Sequence, residues 1–120
     1  MSYKNNVFFL EHKGLITIDE INEANGLIHG HEEFDSHEYQ IINLLNSDFS
    51  SIIQSKHKEP AATDLAASKT RSNVKVAFVA HETKAINFCN LYISESKRCG
   101  SPWDFEIFSN LESTLEWVGA

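Results

Sequence analysis

The densest group of chemistry-bearing residues is the run His29-Gly30-His31-Glu32-Glu33-Phe34-Asp35-Ser36-His37. Imidazole nitrogens and carboxylate oxygens alternating at this density could coordinate a divalent cation, since both are ordinary ligands of zinc and its neighbours. Metal ligands also need fixed directions and a supporting shell, which a loop supplies only when it is itself held. The plainer reading is a solvated helix end and loop on an acidic chain, with no metal site and no cofactor. A nucleophilic centre is harder still to assemble. Cys89 lies among apolar neighbours at helical spacing, where a thiol is usually inert filler. No serine sits in a Gly-x-Ser-x-Gly elbow, and no Gly-x-Gly-x-x-Gly loop or other phosphate cradle follows a strand. Two loops remain. His81 follows the apolar run Val74 to Ala80, and the carboxyl ends of strands are where open α/β sheets place ligands. Asp48-Phe49-Ser50-Ser51 stands between a strand and a helix, where a phosphoserine would gain from helix-terminal N–H groups, although a solvent-exposed loop explains it as well. No catalytic residue is assigned, and the chain is not expected to be an enzyme.

The elements that would position these residues are legible in the hydrophobic pattern. Val7 to Leu10 is an apolar run expected to form a strand ending near His12, with Lys13-Gly14 as a turn. Thr17 with Glu20 three residues later predicts a capped helix start. Ile18, Ile21, Ala24, Leu27 and Ile28 recur on one face of that helix, and Gly30 is expected to end it. Tyr39 to Leu45 carries apolar residues at both parities, as does Val74 to Val79, so both read as strands covered on two faces. Between them, Asn46 to Lys58 is polar and serine-rich and reads as the least structured segment. A short helix starting at Glu59-Pro60 follows, with a thin apolar face of alanines and a single leucine. Strand Trp103 to Phe108 alternates with Asp104 and Glu106, which points to a wetter face near a sheet edge. The last helix, Leu111 to Val118, has Asn110 as its cap.

The helix from Glu82 to Arg98 is apolar over more than half its circumference, wider than one sheet face demands. The excess makes Ile86, Phe88, Tyr92 and Ile93, together with His81, the candidate surface for a partner or an apolar ligand. The order is β-α-β-α-β-α-β-α in one domain spanning residues 1–120, with no repeat of fixed period.

Composition narrows the partners. A net charge of −7 argues against nucleic acid or an anionic membrane surface, both of which need a positive footprint. No apolar stretch approaches the ~18 residues of a spanning helix, and the N-terminus lacks the apolar segment of a signal peptide, so a cytoplasmic protein is expected. Cys89 and Cys99 agree with a reducing compartment. On one helix their Cα atoms would stand ~15 Å apart, far beyond the ~7 Å that a disulfide tolerates.

Over nearly its whole length the chain resembles the small bacterial SpoIIAA-like proteins of STAS-type fold. The resemblance is carried by Val76-Ala77-Phe78-Val79-Ala80, Leu91-Tyr92, Ser101-Pro102-Trp103, Ile107-Phe108-Ser109-Asn110-Leu111-Glu112 and Leu115-Glu116-Trp117-Val118-Gly119. Gly14-Leu15-Ile16-Thr17 with Glu20, and His31-Glu32-Glu33-Phe34-Asp35, extend it toward the N-terminus. It implies a mixed sheet of four or five strands flanked by about four helices. It also implies a non-enzymatic regulatory or protein-interaction role, through a protein partner or a homodimer. The family's name-giving members are anti-sigma-factor antagonists controlled by a phosphoserine in an Asp-Ser-Ser-Gly turn. Here Phe49 is inserted into that turn and Ile52 stands in place of the glycine, so the phosphoserine is not carried over. The fold is also similar to that of CRAL-TRIO lipid-carrier domains, which makes a small apolar ligand the alternative.

Overall fold

The computed structural model describes residues 1–119. It is an α/β fold in which five strands form one mixed sheet in the order β1-β2-β3-β4-β5. The elements are β1 (Ser2–Lys4), β2 (Val7–Leu15), α1 (Ile18–His29), β3 (Tyr39–Asp48), a 3₁₀ turn (Gln54–His57), α2 (Lys58–Ser68), β4 (Lys75–Val79), α3 (Thr83–Arg98), β5 (Asp104–Phe108) and α4 (Leu111–Trp117). Strands β2 to β5 are parallel, and β1 alone is antiparallel, to β2. The β1–β2 turn is made by Asn5 and Asn6 at φ 52° and 67°, the left-handed pair that a two-residue hairpin needs and that asparagine tolerates best after glycine.

Side chains alternate across a sheet, so the register sorts the core into two faces. Phe8, Gln40, Val76 and Phe105 share one row of one face, and Leu10, Ile42, Phe78 and Ile107 share the next. Helices α1, α2 and α3 all lie on this face, where Ile21, Pro60 and Phe88 meet Leu10, Ile42 and Phe78 around one cavity. Successive crossovers of the same hand between neighbouring strands produce this arrangement. The opposite face carries Tyr39, Ile41, Ala77, Val79 and Phe108, and α4 packs there: the Trp117 ring lies 5.8 Å from Tyr39 and 5.5 Å from Phe108. Phe8, Ile16 and Ile28 are completely buried, each side chain worth ~1.5–3 kcal/mol of burial.

Several expectations hold and several do not. Thr17 caps α1 by accepting the Glu20 N–H at 3.2 Å, but the Glu20 carboxylate takes the Thr17 hydroxyl instead of the cap's backbone N–H. Asn110 caps α4, accepting from Ser113 N at 2.8 Å, and β5 is the sheet edge. Lys13-Gly14 does not turn the chain. Strand β2 runs on to Leu15 through a bulge between Glu11 and Lys13, and Gly14 at φ 73° follows it within the strand. Gly30 ends α1 at φ −89°, outside the left-handed region. The segment from Asn46 to Lys58 is packed: β3 continues to Asp48, Phe49 is 1% exposed against Phe88, and the Ser51 hydroxyl donates to Ile16 O. Its serines satisfy backbone and turn bonds while Phe49 and Ile52 supply the anchors.

Candidate functional site

Helix α2 decides the polar geometry of the interior. Its buried positions are Pro60, Ala61, Asp64 and Ser68, so the stripe facing the core contains a carboxylate where the pattern of apolar residues shows only alanine. Asp64 is 7% exposed, and a buried carboxylate is tolerable only when it is paired. Two helices supply the partners. The Tyr92 hydroxyl of α3 donates to Asp64 Oδ2, and His29 Nε2 at the end of α1 stands 2.8 Å from Asp64 Oδ1. Burial, and then the adjacent Asp64 charge, hold the Tyr92 phenol well above its usual range, so it stays protonated and keeps donating. The three residues join α1, α2 and α3 through one carboxylate.

Asp64 and Tyr92 also line the cavity between the helices and the sheet, which measures about 50 Å³. Most of its wall is apolar, and His12, Asn25 and Gln40 add polar groups. His12 reaches it from the β2 bulge, where bulges commonly re-aim a side chain, and burial lowers its pKa. A space of this size suits a few water molecules, at ~10–15 Å³ of such volume each.

The histidine run is partly inside the molecule, which corrects its reading as a solvated loop. Phe34 is 6% exposed and His37 is 0% exposed, because both pack on the Phe8 end of the sheet: His37 lies 4.9 Å from each of the Phe8 and Phe34 rings. His29 instead meets Asp64, and His31 Nδ1 accepts the Glu33 N–H. Among the described residues, no three His, Cys, Asp or Glu side chains come together to hold a metal ion.

The predicted contact residues separate. Phe88 and Tyr92 are core and line the cavity, whereas Ile86 and Ile93 are half-buried against the core margin. Helix α3 needs its wide apolar arc because it packs sideways on α2 and the 3₁₀ turn as well as on the sheet. Its exposed hydrophobic residue is Leu91, 40% accessible. His81 is exposed beyond the end of β4 and does not line the cavity. Near it in the sequence order of strand ends, Asp48 Oδ1 accepts from Ser50 N at 2.8 Å, and the Ser50 backbone and hydroxyl hold its carboxyl below the usual range. Cys89 is buried and Cys99 exposed, both free, and burial pushes the Cys89 thiol up to about 12.

Sequence reasoning missed Asp64, His29 as its partner, Gln40, and the burial of His37. The available signal was an aspartate at the i+3 position from buried Ala61 on a helix whose apolar face is otherwise thin. Among the described residues no helix is long and apolar enough to cross a membrane. No protein-family model, no curated protein and no solved structure matches this chain, so its own geometry carries the functional argument.

Proposed function

We propose that the chain is a non-enzymatic regulatory module of STAS type that engages a protein partner, in the simplest case a second copy, through the outer surface of α3. The observation that carries this reading is an exposed leucine, Leu91, in an uncharged groove. Leu91 is 40% and Ile53 64% exposed. Gln54, next to Ile53, lines a shallow groove with Asn87, Asn90, Leu91 and Ser94. None of these groove residues is charged, so two chains of net charge −7 can approach there with less repulsion than elsewhere on an acidic surface. The non-enzymatic part of the reading is supported by Asp64, whose Oδ2 accepts the Tyr92 hydroxyl, while Oδ1 has the His29 ring at 2.8 Å but no hydrogen bond. The five-stranded mixed sheet with four helices agrees with what the STAS resemblance implies, at the level of architecture.

Sedimentation velocity over a hundredfold concentration range tests it. Concentration-dependent dimerisation is expected for the natural chain, and Leu91→Glu should remain monomeric with an unchanged melting curve. A natural chain that stays monomeric throughout, or a dimer indifferent to Leu91→Glu, overturns self-association through α3. The interior cavity favours the second reading, a small apolar ligand, because Leu10, Ile42, Phe78 and Phe88 face it. At about 50 Å³ it is far below the ~300–1,000 Å³ of drug-sized sites, so an acyl chain would have to part the helices from the sheet. Native mass spectrometry separates the two: the bare chain mass is expected, and a co-purifying apolar adduct would favour the ligand.

A further inference from the structure

The loop from His31 to His37 is held down by hydrogen bonds that require neutral imidazoles. His37 Nδ1 meets the Phe34 carbonyl, which can only accept, so Nδ1 carries the ring proton. Its Nε2 stands 3.1 Å from the Gln40 amide nitrogen, a donor, so Nε2 carries none. The ring is fully buried between Phe8 and Phe34. The His37 carbonyl takes a further bond from Arg71 Nε at 2.9 Å, and the Arg71 carbonyl accepts Trp103 Nε1 at 2.7 Å. The imidazole therefore ties the loop to β3 through Gln40, while the His37 backbone carbonyl ties it to Arg71, in the segment after α2. His31 Nδ1 likewise accepts the Glu33 N–H at 3.0 Å, a bond that needs this nitrogen bare.

We propose that His37 is an acid-sensitive latch: on taking up a proton at Nε2 it releases the 31–37 loop from the sheet and uncovers Phe8 and Phe34. Protonation at Nε2 would abolish the bond it accepts from Gln40 and set two N–H donors against each other inside the fold. The basic groups acting on the ring, Arg71 from the α2 side and His29 from α1, both oppose a charge on it. Asp64, from α2, faces His29. Burial first, then Arg71 and His29, lower the His37 pKa, and only the Phe34 carbonyl opposes them. The open or unfolded loop thus binds a proton that the closed loop refuses. The stability contributed by closure is complete above the ordinary histidine value and falls as pH drops through and below it, by up to ~tenfold in the open population per pH unit.

The test is long-range ¹H–¹⁵N NMR of the histidine rings with amide hydrogen exchange between pH 7.5 and 5, corrected for intrinsic exchange rates. At pH 7.5 His37 should show the Nδ1–H neutral tautomer. Exchange at residues 31–37 should then rise as pH falls, by up to tenfold per unit, while α3 stays protected. Gln40→Glu places a carboxylate where the imidazolium could donate and should remove the opening from this window. His37→Phe should reduce the pH dependence of loop protection, and if it fails to fold the natural chain and Gln40→Glu decide alone. An Nε2–H tautomer, loop protection that is flat from pH 7.5 to 5, or an opening unchanged by Gln40→Glu overturns the latch.

Discussion

Replacing Tyr92 with Phe isolates the polar tie from the packing around it. The ring is 4% exposed and makes edge contacts with Phe78 and Phe105, each at 5.4 Å between centroids, and phenylalanine keeps all of that. What is lost is the hydroxyl that donates to Asp64. A buried hydrogen bond to a charged group is worth ~1.5–3 kcal/mol, and removing the donor leaves a carboxylate oxygen in the interior without it. With an unfolding entropy of ~2.1 cal/mol/K per residue, a chain of 120 residues loses about 4 °C of Tm per kcal/mol, so the substitution should lower Tm by ~6–12 °C. Urea denaturation should show the same loss as a lower midpoint at constant slope, since the surface exposed on unfolding hardly changes. Asp64→Asn keeps an acceptor but removes the charge, so in that background Tyr92→Phe should cost about 1 kcal/mol less. A Tyr92→Phe protein within 0.5 kcal/mol of the natural one, or an identical loss in both backgrounds, would show that the carboxylate is satisfied some other way and would refute the tie.

Two further outcomes follow from the same geometry. A thiol reagent at pH 8 should label one cysteine rapidly in the folded protein, Cys99, and two in guanidinium, because burial pushes Cys89 up to about 12; rapid labelling of both in the folded state would contradict the packing of α3. The sign for stability is alkaline: the unfolded thiol releases its proton above its ordinary value while the folded one keeps it, so this contribution is whole below about pH 8.5 and declines as pH rises toward 12. Thr17→Ala should cost about 1 kcal/mol of stability through the lost Glu20 N–H bond, and a loss below 0.3 kcal/mol in urea denaturation would mean that water replaces the cap at no cost.

What could be read from the sequence was the part set by local patterns. Thr17 and Asn110 announce their helices because a hydroxyl or carboxamide oxygen before an apolar run satisfies orphan N–H groups wherever it occurs. Asp104 and Glu106 announce an edge because an alternating strand needs only one dry face. The parts that stayed hidden depend on what lies across the fold. Asn5-Asn6 makes a hairpin only because Ser2 to Lys4 finds β2 to pair with. Phe49, in a serine-rich stretch, becomes a core residue only where Phe88 arrives beside it. Asp64 is the clearest case: an aspartate on a weakly apolar helix reads as solvated until a tyrosine 28 residues later and the last residue of α1 close over it. The width of the apolar arc on α3 was visible, but its cause, packing on three neighbours, was not.

The winding of the chain bears on where this protein can meet anything else. Open α/β sheets bind ligands in the crevice at a topological switch point, where neighbouring crossovers leave in opposite directions. Here β2, β3, β4 and β5 are laid down in order and α1, α2 and α3 share one face, so the strand ends have no such reversal. His81, exposed at the end of β4, therefore has the sequence position of a ligand-binding residue without the cleft that usually makes that position useful. The polar groups that do converge, Asp64, Tyr92 and His29, lie between the helices and join them. What the winding leaves available is the outside of the helical layer. There Leu91 stands exposed beside uncharged Asn87 and Asn90, and a surface of that kind loses less by desolvation against another protein than a charged one would. The topology thus works against a strand-end site.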